Sequence, residues 1–463
     1  MQVRQTLVGR IHYVLFGFWY LALFPGRLGY DYALLARIVR NGEETSWWGA
    51  NYFWFFKFVT FNGKTIFLVS LAGLILLTFS LQYFISNLPI SLRTQRRTLT
   101  IIMLTPIYGF FGLTVSHDVL QTSGILLLTS LLFHWKFGTG ASHKEIIFIA
   151  SLASFCLLTT HSGIALVALL LIFFWFTQQK KKLLITFLIT LFFYIPSQLS
   201  IQEPSPTSEF SGNLPKAGKA IPTLMLIDLK CIVQHPEAEV TENEWVILKK
   251  YSSEVNWKKQ TTCSNPGDML APLEIDTANL ELSKDLASTF VGIVSRSPAI
   301  PFVSHIQRSA VALPPPFFLP PTNQIPWDVK IPLGQGTNVA LQTGPEMLHP
   351  SIDDSVLDTS PKFFAPLEMI AQAGGLLINQ ASWFWGWGGM WLWPIFIFLI
   401  ARMKVSRISE LVILVSPTLL LHFILFIIGP SSLSRYVMAT VFQGMIFSVA
   451  LLFEKGQNAQ RAT

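Results

Sequence analysis

Ten apolar runs, each near the length that crosses a membrane, constrain this chain more than any other feature of it. They fall at about 11–25, 65–87, 99–116, 118–135, 145–160, 162–177, 183–199, 383–401, 409–429 and 436–453. A transmembrane helix takes about 20 mostly apolar residues, so such runs predict spans rather than the core helices of a soluble fold. Composition agrees. Charged residues make up 13% of the chain, about half the usual share in soluble domains, against 51% hydrophobic residues with 38 Phe and 14 Trp. A soluble protein cannot hide that much apolar side chain, and a disordered one does not carry it. The expected fold class is mainly α: a polytopic membrane protein with about ten transmembrane helices. The segment 48–60 (WWGANYFWFFKFV) is too short and too Trp-rich for a span and reads as an interfacial helix. No repeat of fixed period is visible.

Charge sets the orientation. Residues 201–376 carry 19 acidic and 12 basic residues, a net of −7, whereas the remainder is at +14. Its basic residues cluster at Arg4/Arg10, Arg93/Arg96/Arg97, Lys136/Lys144, Lys180/Lys181/Lys182, Arg402/Lys404/Arg407 and Lys455/Arg461. With ten spans, all of these clusters and both termini share one side, which the positive-inside rule makes the cytoplasm. Basicity confined to short loops does not make a phosphate-backbone groove, so nucleic acid is not an expected partner. The organisation follows: an N-terminal transmembrane module over 1–200 with seven spans and a first outer loop at 26–64, a small α-rich extracytoplasmic domain over 201–376, and a C-terminal module of three spans over 377–463. Helical stretches are expected at 242–251, 280–294 and 297–311, and the Pro-rich tract 313–332 reads as an extended loop. The first apolar run lacks a small-x-small cleavage site and reads as an uncleaved helix. No N-x-Ser/Thr sequon occurs, which favours a bacterial inner membrane.

Cys156 lies in a span. Cys231 and Cys263 lie in the outer domain, where a disulfide persists; pairing would close a loop of about 33 residues and contribute about 3–4 kcal/mol, and two buried thiols are the alternative. No cysteine–histidine metal spacing is present.

Acidic residues narrow the search for chemistry. Outside the large domain there are seven, Asp31, Glu43, Glu44, Asp118, Glu145, Glu410 and Glu454, and the topology puts Asp31, Glu43, Glu44 and Asp118 on the outer face. Ionised groups near membrane depth are costly and are functional candidates. Asp31, in PGRLGYDY, reads either as a general base on a hydroxyl or as the N-cap of the amphipathic stretch after it. Asp118, beside His117, reads as a cap, as a holder of a divalent cation (magnesium or manganese), or as an orienting group for a phosphate or sugar. Arg435, in SSLSRY, stands against the positive-inside trend; a lipid phosphate is its natural partner, and Asp118 or Asp31 the other. His161, in TTHSG, is a satisfied interfacial histidine or a ligand. Lys57 and Lys64 meet headgroups or snorkel. The cluster 383–391 reads as an aromatic belt in which one or two rings can stack on a sugar.

Three segments resemble the GT-C superfamily of integral membrane glycosyltransferases, of the aminoarabinose transferase and protein mannosyltransferase type. PGRLGYDYALLARIVRNGEE is similar to the first outer loop of such enzymes. TPIYGFFGLTVSHDVLQTSGILLL is similar to their third-to-fourth span turn, topped by a basic–acidic pair that is His117-Asp118 here where Lys-Asp is frequent. SLSRYVMATVFQGMIFSVALLF is similar to the Arg-Tyr opening of a late span. The resemblance implies inverting transfer of a sugar from a polyprenyl-phosphate carrier to a glycan, lipid or protein acceptor, with Asp31 as base. Arg435, His117, Asp118, Lys57 and His161 would then lie about the donor phosphate, with Asp118 orienting the donor or holding a cation and no other cofactor implied. A polysaccharide polymerase or ligase, and a transporter or flippase for a lipid-linked substrate, are the alternatives.

Overall fold

The computed structural model describes residues 9–24, 26–28, 30–45, 48–65, 67–137, 142–176, 180–200, 220–261, 271–273, 283–300, 366–367, 369–370, 373–374, 388–401, 408–428 and 437–460. The protein is mainly helical. Its first half runs α1 (Arg10–Ala22), β1 (Arg27–Leu28), α2 (Tyr30–Arg40), α3 (Ala50–Val59), α4 (Phe67–Ser86), α5 (Leu92–Leu104), α6 (Pro106–Gly112), β2 (Thr114–Val115), α7 (His117–Phe137), α8 (His143–Leu157), α9 (Gly163–Phe176) and α10 (Lys180–Ser200). There follow α11 (Ala220–Val233), α12 (Glu242–Leu248), α13 (Glu254–Lys258), a 3-10 turn at Ala271–Leu273, α14 (Lys284–Arg296), α15 (Gly388–Ala401), α16 (Ile408–Ile428) and α17 (Met438–Gln460).

Each of the ten apolar runs therefore contains helix among its described residues. By length and composition one helix among the described residues, α4, is long and apolar enough to cross a membrane, with a mean hydropathy of 2.0; shorter apolar stretches lie in α9, α10, α15, α16 and α17. The third run is not one helix. Thr105 is extended (ψ 135°) and Pro106 opens α6, because the residue before a proline is driven out of the helical region. The segment expected at an interface, α3, buries Ala50, Asn51, Tyr52, Phe53 and Phe56 and packs on α2, α4 and α10, leaving Phe58 exposed.

Helix α7 occupies the centre and packs against α4, α8, α9, α16 and α17, while α17 also packs on α5 and α15. Close approach is set by small residues: a Cβ on Gly109 would come within 2.2 Å of the Trp19 ring, whose Nε1 donates to the Met103 carbonyl at 2.7 Å. Buried polar pairs link the helices. Thr418 donates to Gln443 Oε1 (2.7 Å), Gln443 donates to Thr129 Oγ1 (3.2 Å), His422 meets Thr440 (2.8 Å), and Asn87 donates to Ser130 (2.7 Å). Such pairs fix register where apolar surfaces slide freely.

Helices α11–α14 enclose a core of their own around Leu226, Leu229, Ile232, Leu248, Leu286, Ile293 and the fully buried Trp257. Thr241, Ser253 and Ser283 cap α12, α13 and α14 through their hydroxyls. Lys230 buries its ammonium against the carbonyls of Trp257 (2.9 Å) and Lys259 and against Gln234 Oε1 (3.3 Å). Burial, and then the charge of Lys259, pushes its pKa down to about 8. Helices α12 and α14 fall within or against the stretches expected at 242–251 and 280–294; 301–311 and the tract 313–332 lie outside the described residues. Cys156 is free and buried, Cys231 is disulfide-bonded, and its expected partner Cys263 lies outside the described residues.

Candidate functional site

Two segments far apart in sequence are joined by a parallel pairing of two-residue strands, Arg27 with Thr114 and Leu28 with Val115. Gly26 permits it. Its φ of 123° suits glycine, and a Cβ there would lie 2.4 Å from the Ser70 Cβ. One residue after each strand a helix begins, α2 after Gly29 and α7 after Ser116. The two helix starts are brought near each other, and Tyr32 of α2 reaches His117 of α7. Asp31 and Asp118 are each the second residue of their helix, so neither is the residue that precedes the helix, as the cap readings expected. On α7 the capping role belongs to Ser116, whose hydroxyl accepts from the Asp118 amide at 3.0 Å. First-turn carboxylates gain from the helix dipole, which explains their residue type without fixing their use.

A hydrogen-bonded chain links the two helix starts. Ser116 donates to Asp118 Oδ2 (2.7 Å), Tyr32 Oη lies 2.9 Å from Ser116 Oγ, and Tyr32 Oη lies 2.7 Å from His117 Nδ1. The donor count orders the protons. Ser116 gives its only proton to Asp118, so Tyr32 gives its own to Ser116, and the Tyr32–His117 contact must carry a proton on Nδ1. Nε2 lies 3.3 Å from Asp118 Oδ1. The pair is layered: the Asp118 side chain is 1% exposed and His117 17%, so a ligand meets the imidazole with the carboxylate behind it.

Aromatic rings wall this end. Tyr32 packs on Trp48 and Tyr52, and Tyr52 lies 5.6 Å from the His117 ring. The Tyr52 hydroxyl is buried without a hydrogen-bond partner. Burial, and then the Asp118 charge, holds its pKa well above the ordinary phenol value. The α8–α9 turn closes the other side: Gln121 donates to Ser162 Oγ (2.8 Å) and Asn51 to the Leu158 carbonyl (3.2 Å). Gly49, at φ 92°, lets α3 start there, since a Cβ would sit 2.7 Å from the Thr159 carbonyl oxygen.

Of the residues expected to act, His117 and Asp118 lie here, and Asp31 is the residue before Tyr32, which contacts His117. His161 is exposed on the turn that Gln121 and Asn51 hold. Lys57 does not join them. It sits near the far end of α3, 3.8 Å from Glu44 Oε1 and 4.7 Å above the Trp54 ring. Arg435 lies outside the described residues. Of the Asp118 carboxylate oxygens, Oδ2 takes the Ser116 proton and Oδ1 lies 3.3 Å from His117 Nε2. No group of three or more His, Cys, Asp or Glu side chains able to hold a metal occurs among the described residues. Comparison with known proteins finds no matching family, no matching curated protein and no matching solved structure.

Sequence reading missed Tyr32, Ser116 and Tyr52. The signal for the first two lay beside the chosen acids, a hydroxyl next to each in Asp31-Tyr32 and Ser116-His117-Asp118. What these groups offer together is a polar face, made of an imidazole and two helix N-termini, whose positive dipole ends favour an anion.

Proposed function

We propose that this chain is an inverting membrane glycosyltransferase that moves a sugar from a polyprenyl-phosphate carrier to a glycan, lipid or protein acceptor outside the cytoplasm. The observation that supports the reading is the β1–β2 pairing, which lays the strand before the Asp31 turn along the strand before His117-Asp118 although 87 positions separate them. Membrane embedding is supported by apolar stripes that face outward at helical spacing: Leu184, Leu188, Phe192 and Ile195 on α10, and Trp393, Ile397 and Ile400 on α15, all exposed. Water does not tolerate such stripes at this extent, and lipid does. The ten helical runs then cross a bacterial inner membrane, with both termini cytoplasmic and residues 201–376 periplasmic.

In this mechanism Asp31 takes the proton of the acceptor hydroxyl. The freed oxygen attacks the anomeric carbon as the bond from that carbon to the phosphate oxygen breaks, and polyprenyl phosphate leaves. His117, held by Tyr32 and backed by Asp118, stabilises the leaving phosphate together with the helix N-termini and Arg435. Asp118 thus acts through His117.

The test is transfer of radiolabelled sugar from a panel of polyprenyl-phosphate monosaccharides by the purified full chain. Asp31→Asn lowers turnover about 10²–10⁴-fold with the fold intact. His117→Gln lowers it about 10²-fold, and His117→Lys recovers most of the loss by supplying a cation. EDTA leaves the rate unchanged; inhibition by EDTA would place a cation at Asp118. A folded chain that neither turns over nor binds any such donor removes the proposal.

A further inference from the structure

At the end of α3 away from Tyr52 the chain turns tightly before α4, and three successive residues take positive φ: Phe61 (51°), Asn62 (60°) and Gly63 (76°). Asparagine and glycine suit the left-handed region; a bulky phenylalanine does not. The turn is pinned from behind. Thr60 Oγ1 donates to the Phe56 carbonyl (2.6 Å) and accepts from the Gly63 amide (2.8 Å). The Asn62 amide donates to the Lys57 carbonyl (2.8 Å), and Arg40 Nε of α2 donates to the Gly63 carbonyl (2.6 Å). A Cβ on Gly63 would lie 2.7 Å from the Ala36 carbonyl oxygen. The surrounding structure thus imposes the left-handed backbone, and none of these bonds needs an aromatic ring at position 61.

What the turn presents outward is apolar. Phe58 is 83% exposed and Phe61 61%, the Phe61 amide donates to the Phe58 carbonyl at 3.2 Å, and Lys64 is exposed on the same turn. The body of α3 differs, with Tyr52, Phe53 and Phe56 fully buried. Single exposed apolar residues are ordinary; two large rings on one pinned turn, one of them where glycine is favoured, are not explained by folding. Three residues after Lys64 begins α4, the one helix among the described residues long and apolar enough to cross a membrane. A turn that leads directly into such a helix stands at the bilayer surface, where apolar rings enter the acyl boundary and a lysine meets lipid phosphate.

We infer, resting on the membrane reading above, that Phe58 and Phe61 form a lipid anchor inserted in the outer leaflet, with Lys64 at the headgroup phosphates. The same helix holds Tyr52 5.6 Å from the His117 ring, about 9 Å along the axis from Phe58. The anchor therefore ties the depth of the candidate site to the bilayer surface.

The test places p-benzoylphenylalanine in the full chain at position 58, 61, 188 or 246, one at a time, in vesicles of phosphatidylethanolamine and phosphatidylglycerol. A thermal melt checks folding, and intact mass after illumination reads lipid adducts. Leu188 lies on the outward stripe of α10, and Val246 of α12, 59% exposed, matches Phe61 in exposure. Positions 58 and 61 give lipid adducts about tenfold above position 246 and near the level of position 188. Position 58 decides the matter if the variant at 61 does not fold, because it is exposed and lies within α3. Adducts at 188 with 58 and 61 at the level of 246 would overturn the inference and leave the membrane reading standing. Adducts at none of the four positions would remove both. Cross-linking of 58 or 61 to a second copy of the chain, in place of lipid, would overturn the inference in favour of an interface between copies.

Discussion

The helices around α7 and the group α11–α14 each enclose an apolar core and differ on their outer faces. In the first, Leu184, Leu188, Phe192, Trp393, Ile397 and Ile400 point outward. In the second the outside carries ion pairs: Lys249–Glu254 (2.8 Å), Lys258–Glu254 (2.7 Å), Lys250–Asp285 (3.8 Å) and Arg296–Glu244. Its exposed Val246, Val255 and Val291 are single residues of the kind any soluble surface shows. Burial inside a helical core is thus silent about the solvent, because lipid and water both allow it. The outward face is what responds, and it separates the two regions.

The contrast can be broken or sharpened by substitution. The largest effect is expected from Trp257→Ala, which empties the centre of α11–α14, removes a hydrogen bond to the Leu248 carbonyl (3.0 Å), and costs that region about 3–5 kcal/mol. Hydrogen exchange in the full chain then accelerates across α11–α14 and stays slow in α7 and α17; acceleration in both would mean that the two regions fold as one. Next comes Leu188→Arg on the outward face of α10. In lipid it costs about 2.5–3.5 kcal/mol and lowers the yield of membrane-integrated protein, whereas in water it is neutral or improves solubility. Equal yields would remove the membrane reading of that face.

The smallest effect concerns Glu254, whose carboxyl is lowered to about 2 by hydrogen bonds from Lys249 and then Lys258. Its folded pKa lies below the unfolded value, so its contribution is present above about pH 4.5 and is lost as pH falls toward 2. Glu254→Gln flattens the pH dependence of α12–α13 hydrogen exchange across that window. These ion pairs are exposed, so added salt weakens the difference in wild type.

Helix placement was legible in the sequence because apolar runs of about 20 residues force helix when the backbone must satisfy itself. The break at Thr105-Pro106 was not, since an averaged hydropathy hides one proline inside an apolar stretch. The candidate acids were found through their scarcity. Their mutual placement was not, because strands of two residues carry no periodicity and their partners lie 87 positions apart. The cap readings of Asp31 and Asp118 failed by a small displacement: a first-turn acid and a cap acid look alike in sequence, and Ser116 took the cap on α7. The approach of Glu44 to Lys57 was not legible either, because nothing in the chain announces that Glu44 folds back across the α2–α3 connection.

The β1–β2 pairing also sets a clock. Arg27 emerges early and waits for Thr114, with α2 to α6 made in between. At about 5–20 residues per second of synthesis, that wait lasts roughly 4–17 s. Through this interval the Asp31 turn has no strand to lie against, so a half-made chain holds one carboxylate of the pair without its counterpart. The strand pairing therefore forms only when the start of α7 arrives, and the α8–α9 turn closes on it later still.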